Sequence, residues 1–328
     1  MNVRAEDGWF WGSRARFARG CGFALASWFA QGCGDPLVDA AVVVGPRVLG
    51  ARVRTANDAL VAEPGAGESA QIEWLVVSNV RGAFASALSF CVAEPSLLGA
   101  PRCDGAAFDE QVVKGQFGVG LAADFRLPAE LAPGDRWLAW FGSCGETAAL
   151  FDDERSEFLC ADKSAARSAF YRGRVPGPDA SGNRNPELDD DLLLLDAARW
   201  AGPGEPLGVG EPCQGSGLPE RRGGTRAAIE FQLAGDDREA LQPPGAGDYR
   251  PRARESLVYT HVANFEGLER PFSAIEHDGD ELGFALELAL PALGTADSEG
   301  QTLAFYLLVR DERGGVDWTE RQLCVLNP

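Results

Sequence analysis

The chain has 328 residues, enough for about two domains of ordinary size. Its 45% hydrophobic and 24% charged residues are typical of a folded, water-soluble protein, so intrinsic disorder is not expected. The formal net charge of −19 argues against nucleic acid as a partner, because a polyanion would be repelled and no basic stripe offsets this field.

The first predicted element is a signal peptide at residues 1–32. An apolar run from Phe23 to Ala30 follows the closely spaced Arg14, Arg16 and Arg19, and it leads into a small-residue site with Cys33 at its end. That order of basic, apolar and small residues is typical of a secretory signal. The run is shorter than the roughly 20 apolar residues that a spanning helix needs, which disfavours a transmembrane anchor.

The end of this signal, Ala-Gln-Gly-Cys at residues 30–33, resembles the cleavage site of bacterial lipoproteins. The resemblance implies that Cys33 becomes the first residue and carries a covalent diacylglyceryl lipid, with residues 33–46 as the membrane tether. Acyl chains on one residue give durable attachment without a membrane crossing. Ordinary secretion with cleavage, and an uncleaved segment, are the alternatives.

Six cysteines remain once Cys21 of the signal and Cys33 are set aside. In an exported protein an even number predicts disulfides, whereas a zinc site would need closely spaced cysteine pairs. Cys91–Cys144 is one candidate pairing, because the two strands that would carry these cysteines are neighbours in immunoglobulin-like sheets. The preferred pairings are Cys91–Cys103, Cys144–Cys160 and Cys213–Cys324.

Residues 47–176 are predicted to form a first β-sandwich. Ile72, Trp74 and Val76 alternate with other residues, which is the pattern of a half-buried strand. A turn or two of helix is predicted at residues 164–171. Proline, glycine and polar residues then cluster at 173–186 and indicate a linker, so residues 177–328 are predicted to hold this linker and a second sandwich.

The second sandwich is predicted to repeat the first. AQIEWLV at 70–76 matches AAIEFQL at 227–233, Pro-Ala at 128–129 matches 291–292, and LAWF at 138–141 matches LAFY at 303–306. Three matches in the same order favour tandem domains. Strict alternation at 282–290 predicts a core strand there, and Trp318 is expected to fill the second core. The predicted fold class is therefore all-β, with two tandem immunoglobulin-like (fibronectin III-like) antiparallel sandwiches after a signal segment.

Three segments carry a further resemblance: VRDERGGVDWTERQL at 309–323, RVLGARV at 47–53 and NRNP at 183–186. They resemble uncharacterised lipoproteins of GC-rich Gram-negative bacteria that contain tandem immunoglobulin-like domains. The resemblance implies an exported outer membrane lipoprotein that faces the periplasm or the cell surface, and it implies no activity.

The sequence offers little that indicates catalysis. His261 lies in a strand-like stretch and His277 in an acidic turn, and neither has the neighbours of a catalytic base. The acidic runs at 152–154 and 189–191 allow calcium but lack the ligand spacing of an EF-hand. Trp200, which precedes a Gly-Pro-Gly turn, is the candidate for an exposed ligand contact.

We therefore predict a lipid-anchored cell-envelope protein that is not an enzyme and that acts as a binding or scaffold module. Its expected partners are the membrane, through the lipid, and an envelope protein or glycan. No cofactor and no metal site are predicted apart from the calcium that the acidic runs allow. The alternatives are a carbohydrate-binding module, which would expose aromatic side chains on one sheet, and a hydrolase that uses an acidic pair.

Overall fold

The computed structural model describes residues 41–79, 82–95, 101–118, 120–145, 147–152, 155–164, 166–177, 182–202, 204, 206–232, 238, 254–276, 279, 282–294 and 299–327. Over these residues the fold is all-β, as predicted, and the helical segment is a single 3-10 turn at Asp190–Leu192. We refer to the described residues 47–177 as the first half and to 182–327 as the second half.

The first half contains two facing sheets and a small hairpin. The sheets have the strand orders β1-β2-β5 and β10-β6-β3-β4, with β7 on the end of β6, and β8 pairs with β9. The strands are β1 (Arg47–Thr55), β2 (Ser69–Val77), β3 (Ala83–Val92), β4 (Asp109–Gln116), β5 (Leu121–Arg126), β6 (Arg136–Cys144), β7 (Thr147–Ala148), β8 (Leu150–Asp152), β9 (Glu157–Leu159) and β10 (Arg167–Arg174).

The second half also contains two facing sheets. Their orders are β12-β11-β14-β17 and β13-β19-β18-β15-β16, and all pairings are antiparallel except that of β13 with β19. The strands are β11 (Leu193–Leu195), β12 (Ala198–Arg199), β13 (Glu220–Arg222), β14 (Arg226–Gln232), β15 (Leu257–Ala263), β16 (Phe272–Ile275), β17 (Gly283–Ala289), β18 (Gln301–Asp311) and β19 (Val316–Leu326).

Both halves use the same strand order. Of their seven principal strands, the first, second and fifth form one sheet, and the third, fourth, sixth and seventh form the other. This is the arrangement of an immunoglobulin-like sandwich of the fibronectin III kind. The residues from Asp39 to Pro328 nevertheless form one compact unit, so their division into two independent domains stays a prediction.

Alternating side chains build a separate core inside each half. In the first half Ile72 and Trp74 of β2 face Trp137 and Phe141 of β6, with the two aromatic rings of Trp74 and Phe141 at 5.3 Å. In the second half Ile229 and Leu288 belong to the corresponding core. The period-2 pattern of the sequence therefore reports the buried faces of these strands correctly.

One of the three sequence matches is out of register. Leu138 and Trp140 lie on the outer face of β6, whereas their matched residues Leu303 and Phe305 lie in the core of the second half. Because side chains alternate between faces, a shift of one residue exchanges the two faces of a strand. The match of Ile72 with Ile229 keeps both side chains in a core.

The predicted helix at 164–171 is wrong. Residues 167–174 form strand β10, which pairs with β6 along its length. Tyr171 alternates inward to the core of the first half, and Gly173 lets the Trp137 ring pack directly against the β10 backbone, since a Cβ there would lie 2.1 Å from that ring. Period-2 burial overrides the helical tendency of SAARSA in this segment.

The outer face of sheet β10-β6-β3-β4 is covered by the chain's own loops. Trp140 and Leu138 of β6 pack there with Phe158 of the β8-β9 hairpin. Disulfides Cys91–Cys103 and Cys144–Cys160 hold the two covering loops against this face. The first half is thus a sandwich with a partial third layer.

Candidate binding site between the two halves

The two halves meet through the outer faces of two sheets. Leu75 and Val77 of β2 pack against Val262 of β15 and Leu308 of β18 in one buried cluster. β18 is therefore buried on both faces, and its alternate residues serve two different cores. Apolar sheet faces that pack in this way fix the halves relative to each other.

A partly buried arginine crosses this junction. Arg52 of β1 donates from its Nε to Glu73 in its own half, at 3.0 Å, and also pairs with Asp317 of β19 in the other half. Its guanidinium carbon lies 4.2 Å from the centre of the Trp318 ring. Burial raises the pKa of Asp317, and the positive charge of Arg52 opposes that rise. Arg52 therefore stabilises the charged form of Asp317 inside the junction.

The segment that joins the halves is part of the junction. Asn185 donates from Nδ2 to the Val53 carbonyl at 2.7 Å, and its Oδ1 accepts from the Val316 amide at 3.0 Å. Asn183 donates from Nδ2 to Asp311 at 2.9 Å. Both asparagines are buried, so the described end of the predicted 173–186 linker is not an exposed connection. The Asn185 side chain thus satisfies backbone groups at the junction that have no strand partner there.

A cleft of about 490 Å³ opens beside this junction. Loops of the first half form one wall, and a loop at 206–209 together with β18 and β19 of the second half forms the other. Ligand sites often lie between such units, in cavities of about this size. The residues that line it include Phe117, Gly118, Leu207, Tyr306, Glu320 and Gln322.

Gln322 and Glu320 shape the second-half wall of the cleft. Gln322 donates from Nε2 to the Leu207 carbonyl at 2.9 Å and accepts from the Leu207 amide at 3.0 Å, which docks the 206–209 loop on β19. The same Nε2 donates to Glu320 Oε1 at 3.0 Å. Glu320 Oε2 points across the cleft, since a Cβ on Gly118 would lie 3.9 Å from it.

Two titratable side chains of the cleft, Glu320 and Tyr306, have raised pKa values. Burial raises the pKa of Glu320 to about 7, although the hydrogen bond from Gln322 opposes the rise. Burial also raises the pKa of Tyr306, and the nearby Glu320 raises it further. A carboxyl group that titrates near neutral pH in a cleft is a candidate functional group.

The six candidate cysteines form the three preferred disulfides, Cys91–Cys103, Cys144–Cys160 and Cys213–Cys324. The alternative pairing of Cys91 with Cys144 is wrong. Cys103 is close to Cys91 because its loop pairs with the end of β3, where residue 93 bridges to residue 103 and the Asp104 amide donates to the Val92 carbonyl at 2.8 Å. Three disulfides indicate an oxidising compartment outside the cytoplasm.

Trp200 is not an exposed ligand contact. It is fully buried in the core of the second half, where its ring stacks on Phe305 at 5.6 Å and its Nε1 donates to the Gln322 carbonyl at 2.9 Å. Trp318, expected in that core, instead packs at the junction under Arg52. Local sequence does not reveal either position, because the partners lie more than a hundred residues away or in the other half.

The remaining candidates do not converge on one site. His261 is buried, its Nδ1 lies 3.2 Å from the Arg270 carbonyl, and burial lowers its pKa to about 4. Asp189 caps the 3-10 turn. Within the described residues no group of three or more metal-ligating side chains comes together. Cys33, His277 and residues 153–154 lie outside the described residues, and a helix with the length and hydropathy of a bilayer span is not found inside them.

Comparison with known proteins does not assign the chain to a family. No protein-family model and no curated protein matches the chain. Similar solved structures include dimeric latent PorU from Porphyromonas gingivalis, at 9% identity over 84% of this chain and 24% of that chain, with a TM-score of 0.21. Escherichia coli alpha-2-macroglobulin activated by porcine elastase has 8% identity over 86% of this chain and 22% of that chain, with a TM-score of 0.20.

The BSP domain of a biofilm associated protein has 8% identity over 84% of this chain and 59% of that chain, with a TM-score of 0.20. The chain thus spans less than two thirds of each of these structures. At such TM-scores the similarities carry no argument about function, and the assignment of the fold rests on the sheets described above.

Proposed function

We propose that the protein is an exported, lipid-anchored module of the cell envelope that binds or positions a partner and has no catalytic role. The observation that carries the proposal is the junction, where two sheet faces, an arginine and two buried asparagines unite both halves. Such a body holds its surfaces at fixed positions, which is what a scaffold or binding module requires. Three disulfides support function outside the cytoplasm.

The proposed anchor is a diacylglyceryl lipid on Cys33. The signal-like order of residues 1–32 supports it, and so does the pairing of the other six candidate cysteines with each other, which leaves Cys33 free for another role. The outer membrane is then one partner, and the protein that it anchors faces the periplasm or the cell surface. An envelope protein or a glycan is the other.

Metabolic labelling with an alkyne fatty acid in a Gram-negative host tests the anchor. We expect label and membrane fractionation for the natural chain and for Cys21→Ser, which is the matched control. Cys33→Ser should lose both, because position 33 then has no sulfur to carry the lipid. A chain that is unlabelled and free in the medium would contradict the anchor.

Crosslinking capture from envelope membranes tests the binding role. The bait is the full chain, and the control is Leu308→Asp, which places a charge in the buried junction. A specific partner should be captured by the natural chain and lost with the variant. Equal capture by both chains would show that binding does not need the two halves to be joined through the junction.

A further inference from the structure

We infer that the cleft between the halves is a binding site for a small organic ammonium ion, with Glu320 as the counterion and aromatic rings as the walls. The inference rests on the proposed binding function and names the ligand class of that function. It depends on one free carboxylate oxygen, on the aromatic lining and on the charge of the cleft.

Within the described residues, Glu320 Oε2 has no hydrogen-bond donor and is the free acceptor of the cleft. Its partner oxygen, Oε1, already accepts from Gln322, and Gln322 is held by two hydrogen bonds to Leu207. The carboxylate is therefore fixed in orientation, with Oε2 directed toward Gly118 on the opposite wall. A primary ammonium group has three donors and no acceptor, which matches a preoriented carboxylate oxygen.

Aromatic rings line the same space. Phe117 stacks on Phe84 at 4.9 Å, which holds its ring in place, and Tyr306 lies on the opposite wall beside Glu320. A cation near an aromatic face is attracted by the ring's quadrupole, and the attraction is stronger when water is excluded. Leu207 and Val209 supply apolar surface for the organic part of the ligand.

The charge of the cleft favours a cation over other ligands. None of the lining residues that the structure describes is Lys, Arg or His. The chain's net charge of −19 raises the local concentration of cations, whereas an anion would meet both this field and Glu320. A neutral ligand would leave the carboxylate without a counterion.

Binding should be linked to proton release. The pKa of Glu320 is about 7, and a cation within about 4 to 6 Å lowers a carboxyl pKa by roughly 1 to 3 units. A protein at pH 7 therefore gives up about half a proton per bound ammonium ion. At pH 9 Glu320 is already ionised, so no release is expected.

Isothermal titration calorimetry with benzylammonium on the full, oxidised chain tests the site. Titrations at pH 7 in two buffers of different ionisation enthalpy measure the released protons, and titrations at pH 9 serve as reference. Benzyl alcohol and benzoate are the neutral and anionic controls. We expect binding of benzylammonium alone, with proton release at pH 7 only.

Variants assign the binding to Glu320. Glu320→Gln should lower the affinity about tenfold or more and abolish proton release, because a charge-assisted hydrogen bond is lost. Glu230→Gln, on the exposed face of β14, removes the same charge and should change affinity less than twofold. Phe117→Leu, a second cleft variant with the carboxylate retained, should lower affinity about threefold.

Several results would overturn the inference. They are equal binding of benzyl alcohol, unchanged affinity in Glu320→Gln, and absence of proton release at pH 7.

The test is separable from that of the proposed function. If Cys33 is acylated and a partner is captured while benzylammonium fails to bind, only the ligand class is rejected. If neither acylation nor capture is observed while benzylammonium binds with the expected proton release, the cleft remains a site and the envelope role is rejected.

Discussion

Replacement of Asn185 by alanine tests whether the connecting segment stabilises the junction. The side chain is 6% exposed and satisfies the Val53 carbonyl of one half and the Val316 amide of the other. Alanine would leave both backbone groups buried without a partner, at about 1 to 3 kcal/mol each. We therefore expect Asn185→Ala to lower the free energy of unfolding by about 2 to 6 kcal/mol.

Urea unfolding followed by tryptophan fluorescence measures this loss. A single transition is expected for the natural chain, because the buried junction couples the halves. The control is Asn57→Ala, an exposed asparagine that donates to Glu68 at 2.8 Å and should contribute less than about 0.5 kcal/mol. Equal small losses for both variants would refute the role assigned to Asn185.

Three other predictions concern the core, the disulfides and pH. Replacing Cys213 and Cys324 by serine should lower stability by about 4 to 5 kcal/mol on the chain-entropy model, more than loss of a first-half disulfide, because 111 residues separate them. Thermal denaturation without reductant checks this, and a reversed order would contradict it. Trp200→Ala should lower the free energy of unfolding by about 3 to 5 kcal/mol in urea titrations, and a loss below about 1 kcal/mol would contradict its burial in the core. The raised pKa of Glu320 stabilises the fold below pH 4.5, and this contribution is lost as pH rises through about 7, so Glu320→Gln should be the more stable protein at pH 9 by up to about 3 kcal/mol and equal at pH 4. Parallel pH curves for the two proteins would rule this out.

The strands and disulfides were predictable because their signals are local. Ile72 and Trp74 report a strand through alternation alone, and the cysteines report pairing through their even number and position. Such signals need no knowledge of distant partners. The burial of Trp200 needs such knowledge, since a turn follows it directly and its partners Phe305 and Gln322 come much later in the chain.

The junction and the cleft were hidden for a different reason. Leu303, Ala304, Phe305 and Tyr306 are all buried, because a second sheet covers the face that would otherwise meet water. With both faces apolar, alternation does not tell which residues belong to which core. The one-residue error in the repeat match follows from this ambiguity, and Glu320 could not be placed in a cleft whose opposite wall belongs to the other half.

The path of the chain before β1 has a mechanical consequence. The Val43 amide donates to the Ala263 carbonyl and the Ala263 amide to the Ala41 carbonyl, both at 2.8 Å, so this segment adds to the end of β15 in the second half. Val43 is buried in the junction cluster. A pulling force applied at the amino-terminal side of residue 41 therefore reaches the second half before it loads β1. The second half would bear part of the force from the start, and unfolding under load would not begin with the first half alone.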